Sequence, residues 1–211
     1  MTAMKAIIFD MDGVLIDARE WHYEALNRAL GMFGYTITRY DHLVTFDGLP
    51  THRKLEMLTQ DRGLPRSLHS FINDLKQRGT TELVHIRCKP VFHHEYALSN
   101  LKARGYKLAV ASNSIRATVE LMMEKSKLRP YLDLILSNQD VTRAKPDPEI
   151  YVTCIQRLGC SPSECLIVED NEHGVQSAQG SGAHVMRVRD VTDVNLENIR
   201  NHIAAIERVA S

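Results

Sequence analysis

Neither sign of charge prevails in this chain: 26 lysines and arginines stand against 26 aspartates and glutamates. That balance excludes a uniformly positive field of the kind that holds nucleic acid or an anionic membrane, and it favours a small, locally recognised ligand. Cysteine is scarce as well. Cys88, Cys154, Cys160 and Cys165 form no C-x-x-C pair and no zinc-ligand spacing, so unpaired thiols in a reduced, cytoplasmic setting are expected. No apolar run approaches the roughly 18 residues of a transmembrane span. The opening "MTAMKAIIFD" offers only a short apolar run before an aspartate, too little for a signal-peptide core. Internal repeats and low-complexity tracts are missing too. The expectation is a soluble cytoplasmic protein, a monomer by default, with no nucleic-acid or membrane partner.

What the chain does contain is a series of short apolar runs bounded by polar or turn residues. "KAIIF" (5–9), "KLAVA" (107–111), "LDLIL" (132–136), "CLIV" (165–168) and "HVMRV" (184–188) read as buried strands. Helical patterns lie between them, which argues for a parallel sheet covered on both faces. Asp147 and Pro148 open one helix as N-cap and first helical residue. Tyr151, Cys154, Ile155 and Leu158 form its apolar stripe, and Gly159 closes it. Ile115, Val119, Met122 and Met123 make a second stripe after Ser114; Leu98 and Leu101 belong to a third helix that Gly105 ends.

Far more chain separates the first two strands than a crossover needs. The excess contains no convincing strand and reads as helices: "EWHYEALNRALGMFG", "THRKLEMLTQDRG" and "SLHSFINDLKQRGTTELVHI". The fold class expected is therefore α/β, a Rossmann-like doubly wound parallel sheet with an inserted α-helical cap. Residues 1–17 and 86–211 would form the core, and 18–85 the cap.

In a doubly wound sheet, ligands gather at the carboxyl ends of the strands, where helix N-termini also point. Asp10 and Asp12 follow the first strand, Ser112 and Asn113 the second; Lys145 comes a short loop after the third, Glu169 and Asp170 after the fourth. Crowded carboxylates repel one another unless a cation neutralises them. Oxygen-only donors point to magnesium, which suits phosphate as well. A hydroxyl and a lysine at the same edge suit a phosphoryl group. One carboxylate could then attack phosphorus while a second, two residues on, moves the proton. Gly13 lets the chain turn tightly there.

Each feature alone has a plainer reading. Asp-x-Asp-Gly can be a strand-ending turn, Ser112-Asn113 a helix cap, Lys145 a solvated lysine, and Glu169-Asp170 an acidic helix start. An EF-hand is excluded, because glycine is fourth in the loop and Trp21 stands at the twelfth position. His93-His94-Glu95 lacks the H-E-x-x-H spacing and reads as a surface cluster at a helix start. The combination, in order after successive strands, is what speaks for a site.

The segments "FDMDGVL", "ASNS", "AKPDPEIY" and "IVEDNEHG" resemble, in order and spacing, the four motifs of the haloacid dehalogenase superfamily of phosphotransferases. The resemblance spans nearly the whole chain and implies a helical cap inserted after the first motif. It implies Asp10 as a nucleophile that becomes an aspartyl phosphate and Asp12 as general acid/base. Ser112, Asn113 and Lys145 would bind the phosphoryl group. Magnesium would be held by Asp10, the backbone carbonyl of Asp12 and Asp170, with Glu169 beside or behind them.

Within that superfamily, "GVLIDAREWHYEAL" resembles the branch of β-phosphoglucomutase and phosphoglycolate phosphatase, with Asp17 at the cap hinge and His22 on the first cap helix. His22 is either a packed cap histidine or a site residue, and Asp17 either a hinge residue or an N-cap. The loop Gly48, Thr51, Arg53 is the candidate cap contact with substrate. Three departures weaken the mutase reading: Arg53 comes two positions late after Gly48, Ala18 stands where the mutase has threonine, and "KPVFHH" replaces a Pro-Gly turn common before the third-motif half of the core. The leading expectation is a magnesium-dependent phosphatase of a small phosphorylated metabolite, a sugar phosphate for choice. The alternative is a phosphosugar mutase using the same intermediate. A signalling receiver domain is disfavoured, since its phosphoaspartate follows a middle strand and it carries no cap. A catalytically silent binder is disfavoured because no motif residue is missing.

Overall fold

The computed structural model describes residues 3–209. They form two compact units: one joins the chain up to Asp17 with the part from Lys89 onward, the other spans Ala18–Cys88. The expected helical stretch ends a little later than residue 85, because its last helix runs unbroken to Arg87 across Gly79.

The helical unit contains α1 (Arg19–Gly31), the single turn α2 (Arg39–Asp41), a π-helical turn His42–Phe46, α3 (Thr51–Arg62) and α4 (His69–Arg87). Its core is an apolar cluster that includes Leu26, Leu30, Ile37, Phe46, Leu55, Leu58 and Ile72. Helix α3 ends as its sequence dictates, on Gly63 at φ 68°, a left-handed C-cap that glycine adopts without steric penalty. His42 is fully buried in this unit. Burial, helped by the nearby Lys54 ammonium, pushes its imidazole down to about 4, although Asp47 pulls the other way.

The sheet unit is built on five strands: β1 (Ala6–Phe9), β2 (Lys107–Ala111), β3 (Leu134–Leu136), β4 (Cys165–Glu169) and β5 (His184–Arg187). All pair in parallel, in the order β3-β2-β1-β4-β5. Helices α5 (Phe92–Ala103), α6 (Arg116–Lys125), α7 (Glu149–Leu158), α8 (Glu172–Gly180) and α9 (Leu196–Val209) complete it. Alternation along the strands sends Ala6, Ile8, Ala109, Ala111 and Ile167 into one cluster with Ile150, Tyr151, Cys154 and Ile155 of α7. Ile7, Phe9, Leu108, Val110 and Leu166 are left for the opposite face and are equally buried. Both faces are thus apolar, the reason the strands read as continuous hydrophobic runs. None of the described helices is long and apolar enough to cross a membrane.

Three local expectations are corrected. β3 begins at Leu134, not at 132, because the Asp133 carboxylate accepts the Leu108 N–H at 2.8 Å and ties that segment through its side chain. Helix α7 begins at Glu149, with Pro148 at the cap position; the Asp147 carboxylate accepts the Glu149 N–H at 3.0 Å and so turns the chain one residue earlier. The His93-His94 pair is not a surface cluster. His94 falls on the inward stripe of α5 with Ala97, Leu98 and Leu101, and is 1% exposed. Its Nε2 and that of His93 both donate to the Val191 carbonyl, at 2.8 and 3.3 Å. Burial pushes the His94 imidazole down to about 4 as well, the Val191 bond opposing this only in part.

Each buried histidine stays neutral in the folded protein until about pH 4, while the unfolded chain takes up the proton near 6.5. Stability is therefore unaffected by them above pH 6.5 and falls as pH drops towards 4, by up to about 1.4 kcal/mol per pH unit for each. Urea titrations at pH 7.5, 5.5 and 4.5 should show this slope, and His42→Phe should make it shallower.

Candidate active site

The four loops at the carboxyl ends of β1 to β4 meet because the strands end in one row. Phe9 pairs with Val110 on one side and Val168 on the other, and the next N–H along, that of Asp10, bonds to the Val168 carbonyl at 3.0 Å. Ser112 N–H likewise bonds to Leu136 O at 3.1 Å. After Asp10 the chain turns at once. Leu15 and Ile16 N–H groups return to the Met11 carbonyl, and Gly13 stands at φ 89°, a left-handed conformation costly for any residue with a Cβ.

Asp10, Lys145, Glu169 and Asp170 are all buried. The Lys145 Nζ lies 2.6 Å from Asp10 Oδ1 and 2.7 Å from Glu169 Oε1. Burial works against the ammonium, but the two carboxylates outweigh it and hold Lys145 above the ordinary lysine range. Burial pushes the Asp10 carboxyl well above its usual range. Lys145 draws it back, and the negative charge of Glu169, Asp170 and Asp12 raises it further.

One oxygen each from Asp10, Glu169 and Asp170 falls within 4.8 Å of the others, all buried. With Asp12 nearby, the acidic groups outnumber the lysine, and the donors are oxygens throughout. A hard divalent cation fits that set, offsetting the excess charge. The Asp12 carboxylate is not among the clustered oxygens. It is partly exposed, and the Ser114 hydroxyl donates to it at 3.0 Å.

Ser112 is buried, and its Oγ accepts the Ser114 N–H at 3.0 Å. Asn113 supports Lys145 by its backbone: its Oδ1 accepts the Lys145 N–H at 3.1 Å and its amide reaches the Lys145 carbonyl at 3.5 Å. All seven expected core residues thus sit in one region of the sheet unit.

The cap candidates belong to the helical unit. His22 lies on α1 with Nδ1 3.2 Å from the buried Lys76 Nζ. Gly48 follows the π turn at φ 72°. Thr51 opens α3, and Arg53 is exposed within its first turn.

Sequence reasoning passed over three participants. Tyr151 reads as one of an apolar stripe, yet its hydroxyl, fully buried, bonds to both Lys145 and Glu169. The available signal was that a buried tyrosine needs a partner for its hydroxyl, and Lys145 is six residues away. Ser114 reads as a helix start, whereas its side chain serves Asp12. Gly174 reads as the end of a motif, but a Cβ there would lie 1.9 Å from Glu169 Oε1.

The sequence model of the haloacid dehalogenase-like hydrolases matches residues 7–188. A phosphorylated carbohydrates phosphatase of Thermotoga maritima is 31% identical over 182 residues, covering 85% of this chain and 82% of that protein. A fructose-1-phosphate phosphatase of Escherichia coli is 27% identical over 185 residues, 87% of this chain and 95% of that one. Among solved structures, a β-phosphoglucomutase of Clostridium difficile is similar with a TM-score of 0.85, covering 99% of this chain and 100% of that one. At 18% identity this is a likeness of fold alone.

Because Glu169 fills the space above Gly174, Gly174→Ala should displace its carboxylate and cost about 1–3 kcal/mol, as overpacked cores do. Urea unfolding of the variant checks this; an unchanged midpoint would contradict the close approach.

Proposed function

The chain belongs to the haloacid dehalogenase-like hydrolases, and from that premise we propose that it is a magnesium-dependent phosphatase acting on a small phosphorylated carbohydrate. The observation that carries the reading is the division between two carboxylates two residues apart. Asp10 is buried and held by Lys145 at 2.6 Å; Asp12 is partly exposed and held by a neutral hydroxyl. A pinned, cation-paired carboxylate suits a nucleophile, and a solvent-reachable one suits proton transfer.

In this reading Asp10 attacks phosphorus in line with the leaving oxygen. Lys145 and Ser112 hold phosphoryl oxygens, and Asn113 fixes the Lys145 backbone. Asp12, oriented by Ser114, gives its proton to the departing alcohol. Asp12 enters this cycle as the protonated acid; after losing its proton it takes one from the water that hydrolyses the aspartyl phosphate, so that Asp12 is again the acid and Asp10 again the carboxylate. Magnesium, held by Asp10, Asp170 and the Asp12 carbonyl with Glu169 behind them, would offset the repulsion between carboxylate and phosphoryl group.

Relatives named as phosphatases of phosphorylated carbohydrates and of fructose 1-phosphate support hydrolysis over mutase chemistry, and a sugar phosphate as substrate. Substrate choice we assign to the helical unit as a cap, with His22, Gly48, Thr51 and Arg53 as its candidate contacts.

Phosphate release should be measured over a panel of sugar phosphates, phosphoglycolate and nucleotides. We expect release from one or a few sugar phosphates, its loss on removing magnesium with a chelator, and its return on adding the ion. Asp10→Asn should lower kcat by at least about a thousandfold while the fold is kept. Turnover by a clean Asp10→Asn preparation would remove Asp10 as nucleophile.

A further inference from the structure

Tyr151 lies near the start of α7, fully buried, with its ring 4.6 Å beneath the Lys145 ammonium. Four acceptors surround that ammonium: Asp10 Oδ1 at 2.6 Å, Glu169 Oε1 and Tyr151 Oη at 2.7 Å, and the Ala111 carbonyl at 2.9 Å. A lysine has only three N–H bonds to give. As it stands, Lys145 has none to spare for a further oxygen.

Glu169 is the partner that can release it. Its Oε1 also accepts the Tyr151 O–H at 2.6 Å, and its Oε2 accepts the N–H groups of Asp170 and Asn171 at 3.1 and 3.4 Å. If Lys145 lets go, Oε1 keeps a donor. Without the tyrosine hydroxyl, the same step would leave a buried carboxylate oxygen bare, which is costly.

We propose that Tyr151 is a positioning residue for phosphoryl binding: its hydroxyl secures Glu169 so that Lys145 can transfer one N–H bond from Glu169 to an incoming phosphoryl oxygen. The proposal rests on the phosphoryl-binding role assigned above to Lys145. It also gives Glu169 a task besides any contact with the ion, through its hydrogen bonds with Lys145, Tyr151, Asp170 and Asn171. A tyrosine that merely filled space would be replaced by phenylalanine without consequence for the ligand.

The test compares the full chain with Tyr151→Phe, using inorganic phosphate in magnesium buffer as the calorimetric probe, alongside ester hydrolysis. Ile155→Val, on the same buried face of α7, controls for loosened packing. Tyr151→Phe should raise the phosphate Kd and the KM together by about tenfold, the effect of one hydrogen bond. Its kcat should change less than about threefold, and Ile155→Val should leave Kd unchanged. An unchanged Kd in Tyr151→Phe overturns the proposal, as does an equal rise in Ile155→Val, or a wild type that binds no phosphate. If the wild type binds phosphate but hydrolyses no ester, while Tyr151→Phe weakens binding, the positioning role stands and the phosphatase reading falls. Should Tyr151→Phe fail to fold, 3-fluorotyrosine at position 151 keeps the shape and makes a stronger donor. It should tighten phosphate binding two- to threefold, and no change or a weakening overturns the proposal.

Discussion

The ion pairing of one buried ammonium governs the arrangement of this site. Lys145 is 4% exposed, and an isolated charge at that depth would lose its proton or unfold its surroundings. It persists because Asp10 and Glu169 flank it. The carboxylates depend on it in turn, since each would otherwise repel the other acidic groups in the row. Three separate segments, those carrying Asp10, Lys145 and Glu169, are therefore tied at a single atom. Each of the three charges is coupled to the other two, and a change at one alters the balance at the rest.

Backbone geometry supplies what that pairing requires. Parallel strands in matched register end level and deliver their next residues side by side. Gly13 turns the chain away within three residues of Asp10, and Gly174 lets α8 start directly against the Glu169 carboxylate. Asn113 grips both backbone groups of Lys145. Two carboxylates separated by a single residue thereby come to occupy different environments, one dry and cation-bound, the other partly wet and hydroxyl-bound. Unequal surroundings are the means by which equal side chains acquire unequal chemistry.

The strands were legible because each apolar run is short, continuous and bounded by polar or glycine residues, the pattern of a sheet buried on both faces. The helical excess between β1 and β2 was legible for the opposite reason, its apolar residues recurring at helical spacing. Local pattern and structure part where a side chain substitutes for backbone. Asp133 shortened β3 by bonding to Leu108, and Asp147 turned the chain ahead of α7. His93-His94-Glu95 reads as a surface cluster at a helix start, yet the place of His94 one turn before Leu98 puts it inside. Tyr151 differs in the other direction: its spacing is that of a packing residue, while its hydroxyl bonds to Lys145 and Glu169.

By itself the sequence determined the α/β class, the split into helical and sheet segments, and which residues follow each strand. Those follow from local periodicity and chain order, which short-range sterics and burial enforce. Only the tertiary structure decided who touches whom. That Lys145 reaches Asp10 across 135 residues, that Ser114 serves Asp12 across 102, and that a tyrosine hydroxyl lies between lysine and glutamate depend on long-range register. Contacts of this kind have no signature in neighbouring residues, because they arise only when separate loops are brought to one edge by the pairing of β1 with β2 and β4.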